Sequence, residues 1–379
     1  MEEIQTSKTR PFWVLQVLII VMAIAIGALC HSLYLRHHGD LELVRQVQIM
    51  IQENSIAEVP DHQKLQYGMI RGMLETLNDP YAIFVEPNES ELQSDHLQGI
   101  FGGIGVQLRK DTQNFWRVYP LPESPAINMG VQDGDILAQV GDLKITSEMD
   151  ELTIIAAIRG PINKNIRVTV ERDGELITYQ IRRQSIPIPS VTWYLLPEAP
   201  KIGMITVNRI AETSAEEIQS GIEECQQNGA NSFILDLRDN GGGLVKTGIE
   251  IAKLFLEDGE VIHRLDNRTQ VTIDEVDRPG PFSDLPILIL INENTASSAE
   301  IVAGALSSNQ RASLIGTNTY GKTSIQYVFD LQDGASVHLT SSKWWIPGVD
   351  FPLSPDITME KEADNSEWIQ TALEILSSQ

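Results

Sequence analysis

The chain of 379 residues is poor in cysteine, histidine, aromatic residues and positive charge. Its two cysteines imply no disulfide framework, because Cys30 ends an apolar segment and Cys225 lies in a polar, helix-like stretch. No Cys/His cluster has metal-ligand spacing, so no metal is expected. Lys and Arg number 28 against 52 Asp and Glu, a net charge of −24. A chain this acidic lacks the basic face that a nucleic-acid partner requires. The same charge favours solubility and basic or neutral substrates. Gly241-Gly242-Gly243 stand at a strand-to-helix turn, yet no Lys-Ser/Thr follows at Walker spacing and no G-x-G-x-x-G occurs. A nucleotide cofactor is therefore not expected. There is no internal repeat and no low-complexity tract. The length allows two or more domains.

One long apolar run is present. Phe12–Leu29 is apolar except for Gln16, and no Lys, Arg, Asp or Glu occurs from Phe12 to Leu35. About 24 such residues, at about 1.5 Å each, suffice to cross about 30 Å of hydrocarbon. Lys8 and Arg10 precede the run, and Trp13 and Tyr34 suit the two interfaces. The expectation is a cytoplasmic tail (1–11), a transmembrane helix (12–35) and the remainder outside the cytoplasm. A cleaved signal peptide is the alternative, though the apolar run is longer than such segments usually carry. Residues 36–95 read as a helical region. Leu41–Glu58 is apolar at helical spacing and Pro60 breaks it; Gln63–Leu77 forms a second helix, closed by the turn Asn78-Asp79-Pro80-Tyr81. These helices leave room for a homo-oligomer contact.

Residues 96–184 carry Gly102-Gly103-Ile104-Gly105-Val106, then Pro122-Glu123-Ser124-Pro125-Ala126, then Gly134-Asp135-Ile136-Leu137. The glycines let backbone N–H groups converge on an anion. Val106-Gln107-Leu108 alternates like a strand edge on which a peptide can add. Together these pieces resemble a PDZ domain. The resemblance implies that Gly103, Ile104, Gly105 and Val106 hold a C-terminal carboxylate. An apolar helix, Ile154–Ile158, ends in Arg159-Gly160. Val168–Glu171 and Leu176–Ile181 flank Asp173-Gly174 as a hairpin. Pro187-Ile188-Pro189 reads as a linker.

In residues 185–379, Lys201–Val207 and Ser232–Leu237 are strand-like, with a helical pattern at Ser214–Gln227 between them. A further helix is expected at Val245–Phe255, a buried strand at Ile287–Ile291, and a helix opening at Ser297-Ser298-Ala299-Glu300. Alternating strands and helices argue a layered α/β or α+β core. The turn before the last helix places a serine where backbone N–H groups can point at an oxyanion. Lys322 follows the next strand-like piece, and a desolvated lysine can accept a serine's proton. The plainer reading makes Ser297 a helix N-cap, with Glu300 completing a capping box.

The segments Thr295–Leu306 and Thr319–Gln326 resemble the active-site segments of the C-terminal processing peptidases, or tail-specific proteases. Ser298, Ala299 and Thr323 depart from the family pattern, and Thr295 and Tyr320 are milder changes. The resemblance implies a ClpP/crotonase-like protease core with an inserted PDZ domain. It implies Ser297 as nucleophile, Lys322 as general base and Gln326 as the residue that orients the lysine. It also implies an oxyanion hole from Gly242 or Gly243 with the N–H of Ser298, and coupling of the loaded PDZ domain to the active site through Arg159. The expected activity is endoproteolysis of protein or peptide substrates with free C-termini, through an acyl-enzyme, without a cofactor. A Ser–His hydrolase using His263 or His338 is one rival. A catalytically silent, membrane-anchored PDZ adaptor is the other.

Overall fold

A computed structural model of the chain describes residues 21–28, 42–266, 269–360 and 365–376. These fall into two compact units, Met1–Ile70 and Arg71–Gln379. In the first, residues 21–28 are helical and exposed. Helix α1 spans Glu42–Asn54, and α2 spans His62–Glu75, beginning in this unit. Asp61 starts α2 after Pro60 by accepting from the Lys64 N–H at 2.8 Å, an N-terminal cap of the ordinary kind. No helix of the described residues is long and apolar enough to cross a membrane. The expected tail at 1–11, and all of the expected span at 12–35 except residues 21–28, lie outside the described residues.

The second unit is built on a six-stranded sheet of order β10-β11-β12-β15-β16-β19. These strands are β10 (Val191–Leu196), β11 (Ala199–Val207), β12 (Ser232–Asp236), β15 (Ile287–Ile291), β16 (Ser313–Gly316) and β19 (Ile357–Thr358). Only the β10–β11 pairing is antiparallel. All five residues of β15 are buried, as a central strand covered on both faces requires. Its side chains alternate between two cores. Ile289 and Ile291 pack with helices α6 (Ser214–Gln227), α7 (Val245–Phe255) and α8 (Ser298–Ser308). Leu288 and Leu290 pack with Trp368, Ile369 and Ala372 of α9 (Asn365–Leu376) on the other face. This is the layered α/β arrangement expected from the sequence pattern.

A second sheet of five strands has the order β1-β18-β13-β14, with β17 also paired to β18. Its strands are β1 (Ile83–Val85), β13 (Glu260–Asp266), β14 (Gln270–Glu275), β17 (Ser324–Asp330) and β18 (Ser336–Trp345). Trp344 is buried and meets Phe351 edge-on at 4.8 Å. Trp345 points oppositely along the same strand, against His263. Helix α3 (Pro87–Gln98) follows β1.

Between α3 and β10 lies a third sheet, β3-β4-β5-β7-β8, with its own apolar core. It comprises β3 (Val106–Lys110), β4 (Trp116–Pro120), β5 (Asp135–Val140), β7 (Asn165–Arg172) and β8 (Glu175–Arg182), with the short β6 (Leu143–Lys144) on β5. Helices α4 (Pro125–Asn128) and α5 (Glu151–Ile158) belong to it. Pro187 is not in a linker, as its neighbours suggested: β9 (Gln184–Pro187) pairs with β2 (Ile100–Gly103). A two-stranded ribbon is all edge, and an edge tolerates the missing proline donor.

Candidate active site

The site lies at the carboxyl ends of the parallel strands β12 and β15, where a layered α/β sheet opens a crevice. Each strand ends in a turn that leads into a helix. After β12 come Asp239, Asn240 and the three glycines; after β15 come Asn292–Ser297. The two turns are stitched together. Asp239 accepts from Asn292 Nδ2 at 2.9 Å and Asn294 Nδ2 at 2.8 Å. The Ala296 N–H donates to the Asn240 carbonyl at 2.9 Å. Asn240 is fully buried, and its Nδ2 donates to the Val207 carbonyl at 2.7 Å.

Ser297 stands at the N-terminus of α8 with φ 57° and ψ −121°. An ordinary N-cap has extended backbone. A non-glycine residue at this positive φ is strained, and such strain concentrates at functional sites. The expected capping box is nevertheless present, with the Ser297 N–H donating to Glu300 Oε2 at 2.8 Å. The neighbouring serine is different. Ser298 is fully buried, and its Oγ has no hydrogen-bond partner among the described residues.

Glu300 does more than cap. Its buried Oε1 accepts from Thr319 Oγ1 at 2.6 Å and from the Gly321 N–H at 2.7 Å. Its Oε2, already bonded to the Ser297 N–H, accepts the Lys322 N–H at 2.9 Å. One oxygen therefore holds the backbones of Ser297 and Lys322 within about 6 Å of each other. Lys322 Nζ donates to Gln326 Oε1 at 2.7 Å and lies 4.6 Å from the centre of the Tyr81 ring. Burial pushes the lysine below its ordinary pKa, with the Asp79 carboxylate opposing. No hydrogen bond joins Nζ to Ser297 Oγ in this structure.

The glycine turn abuts the serine. At Gly242, φ is 95°, and an added Cβ would lie 2.7 Å from the Ala296 carbonyl oxygen and 2.9 Å from Ser297 Cβ. Its N–H is already donated to Asn240 Oδ1 at 2.9 Å, so it is not a free oxyanion donor. The N–H groups of Gly243 and Ser298 have no acceptor among the described residues. Neither histidine is bonded to Ser297. His338 Nε2 lies 3.2 Å from Ser336 Oγ, and His263 Nε2 lies 2.8 Å from Glu260 Oε2.

Gly103 ends β2 and Val106 begins β3, with Ile104 buried and Gly105 at φ 69° between them. A groove of about 280 Å³ runs between β3 and α5, lined by Phe101, Val106, Leu108, Ile155 and Arg159 among others. Arg159 pairs with Asp95 at 3.0 Å and covers the Phe101 ring at 4.1 Å. Burial raises the Asp95 carboxyl's pKa, and Arg159 works against it.

Asn240, Tyr81 and the wider role of Glu300 emerge only in the folded chain. The S-x-x-E spacing marked Glu300, but only as a cap. Asn240 was visible solely as a turn residue. Nothing linked Tyr81 to a lysine so remote in sequence.

Residues 201–359 match the family model described as peptidase family S41, and residues 31–88 match the N-terminal domain of the activating protease CtpB. A "Probable CtpA-like serine protease" of Staphylococcus aureus (strain COL) is 28% identical over 307 residues, covering 79% of this chain. A protein of the same description from Staphylococcus haemolyticus (strain JCSC1435) is 28% identical over 287 residues, covering 75% of this chain. The chain spans 61% and 57% of the lengths of these two relatives. The solved photosystem II D1 C-terminal processing protease is 26% identical; the match covers 86% of this chain and 90% of that one, with a TM-score of 0.47. The matched region, residues 201–359, thus belongs to peptidase family S41, and the N-terminal match and the curated relatives support similarity of the chain to the C-terminal processing peptidases.

Proposed function

We propose that the protein is a serine endopeptidase that grips polypeptide C-termini and cleaves with a Ser297/Lys322 dyad. The observation that carries this reading is the Glu300 carboxylate, which ties the Ser297 backbone to that of a half-buried lysine already held by Gln326. Neutral Lys322 takes the Ser297 Oγ proton as the oxygen attacks the scissile carbonyl. The lysine then passes that proton to the leaving amine. An acyl-enzyme forms at Ser297, and water, deprotonated by the same lysine, releases the product. The N–H groups of Gly243 and Ser298 receive the developing oxyanion, a role worth roughly 100–1000-fold in rate per donor. In the absence of substrate, catalytic hydrogen bonds are often long or unmade and tighten in the complex. An Nζ that rests on Gln326 is compatible with this. His263 and His338 are engaged elsewhere, which disfavours the Ser–His reading.

The β3–α5 groove and the Gly103–Val106 loop support a PDZ-like module that adds a peptide as a strand, with its carboxylate at the loop. Arg159, on the groove wall, is the residue assigned to couple loading to the active site. The apolar run Phe12–Leu29 supports a membrane anchor with the peptidase outside the cytoplasm.

Mass spectrometry of products from peptides with free and amidated C-termini tests the reading. Wild type is expected to cut, with preference for the free end, and Ser297→Ala and Lys322→Ala to leave the peptide intact. Equal peptide stability with wild type and Ser297→Ala would favour the silent adaptor. Loss of activity in His338→Ala but not in Lys322→Ala would favour the Ser–His hydrolase.

A further inference from the structure

The turn Asn78–Tyr81 lies outside residues 201–359, which match the peptidase model, and within residues 31–88, which match the N-terminal domain. It nevertheless forms one wall of the lysine's site. The Tyr81 N–H donates to Asp79 Oδ1 at 3.0 Å, which shapes the turn. Strand β1 follows directly and pairs with β18, with Ile83 opposite His338. The Tyr81 ring then lies against Lys322 Nζ, 4.6 Å from ring centre to nitrogen. Its carbonyl accepts from Gln326 Nε2 at 3.4 Å, while Gln326 Oε1 accepts from Lys322 Nζ at 2.7 Å. An amide has one donor end and one acceptor end. Anchoring the Nε2 end on the Tyr81 carbonyl turns the oxygen toward the lysine.

We infer that Tyr81 is a positioning residue for the general base: its ring face and its carbonyl set where Lys322 Nζ sits and how dry it is. The inference rests on the Ser297/Lys322 reading. The ring exerts two opposite effects. Its face attracts an ammonium, and its bulk keeps water from the amine. The charged and titratable groups around Nζ are Asp79 on the same turn, Tyr320 beside the Tyr81 hydroxyl, Glu300 behind them and His338 on β18. Asp79 favours the ammonium, yet burial prevails and the lysine's pKa is lowered. Exclusion of water from the amine therefore outweighs the Asp79 charge. Burial and Tyr320 raise the pKa of the Tyr81 phenol, so it stays protonated and does not serve as a base itself.

The test is the pH profile of peptide hydrolysis by the full chain carrying Tyr81→Ala, Tyr81→Leu or Tyr81→Phe, beside wild type and Lys322→Ala. Tyr81→Ala is expected to lower kcat at neutral pH by about 100-fold, the cost of misplacing a catalytic group by about 1 Å. KM should change little. The acid limb should move to higher pH, so that the deficit shrinks in alkali. Tyr81→Leu fills the space without an aromatic face, and its limb should shift less. Tyr81→Phe should recover most of the loss and restore the limb. Thermal unfolding midpoints separate these effects from misfolding, and a limb position is insensitive to the folded fraction. A Tyr81→Ala limb that coincides with wild type, while Lys322→Ala is inactive, overturns the role of Tyr81 and leaves the dyad standing. An active Lys322→Ala overturns both.

Discussion

Replacing Glu300 probes the junction between the proposed nucleophile and the proposed base most directly. Its buried carboxylate serves four donors: the N–H groups of Ser297, Gly321 and Lys322 and the hydroxyl of Thr319. Glu300→Ala strands three backbone N–H groups that no rotamer can relocate. At about 1–3 kcal/mol for each buried donor left unpaired, the cost is about 3–9 kcal/mol. Water entering the vacated space moves the expectation to the lower end, about 3–4 kcal/mol. Even that is a large part of a domain's usual stability of about 5–15 kcal/mol. Glu300→Gln should be milder. Its amide oxygen can sit between the Ser297 and Lys322 N–H groups, and its NH₂ can donate to the Thr319 hydroxyl, which accepts as well as donates. Of the backbone donors only the Gly321 N–H then lacks an acceptor, for a cost of about 1–3 kcal/mol. Urea unfolding followed by tryptophan fluorescence measures the difference, and turnover of a peptide substrate on the same samples measures the catalytic consequence. Both variants should lose kcat, alanine more. The reasoning fails if Glu300→Ala costs less than about 1 kcal/mol, if the two variants are equally stable, or if Glu300→Ala turns over at the wild-type rate.

Gly242→Ala places a Cβ 2.7 Å from the Ala296 carbonyl oxygen at a residue of φ 95°. It should displace the Ser297–Ser298 turn and lower kcat roughly 100–1000-fold, with circular dichroism unchanged; wild-type turnover would contradict this. Activity should rise with pH as Lys322 loses its proton, and burial places that rise below the ordinary lysine pKa of about 10.4. Rates independent of pH down to about pH 5 would exclude a lysine base. Arg159→Ala removes the partner of the part-buried Asp95 and should abolish the advantage of a free over an amidated peptide C-terminus. An unchanged ratio of kcat/KM for the two peptides would remove Arg159 from the coupling.

Much of the layered core could be read locally. Ile287–Ile291 is an uninterrupted β-branched and leucine run between turn residues, and it is the fully buried β15. Ser214–Gln227 and Val245–Phe255 show helical periodicity and form helices with those bounds. Such segments are determined by side-chain periodicity within one element, which is a property of sequence. β9 was not legible, because Pro187 reads locally as a breaker and its pairing partner lies far away in the chain. The hairpin of β13 and β14 was likewise not expected; its strands carry charged residues among few apolar ones, and their pairing to each other and to β18 defines them.

The division is sharper at the site. Sequence alone marked Ser297, Lys322, Gln326 and the glycine turn, because their residue types and order within short segments carry the family's pattern. Tertiary structure decided which of those groups are free to act. Asn240 occupies the Gly242 N–H, while those of Gly243 and Ser298 remain without acceptors among the described residues. Tertiary structure also brought Tyr81 to the lysine and made Glu300 a bridge as well as a cap. The physical reason is that hydrogen-bond satisfaction and desolvation depend on what surrounds a group in space. Those surroundings come from strands and turns that the chain separates by many residues, and no local pattern records them.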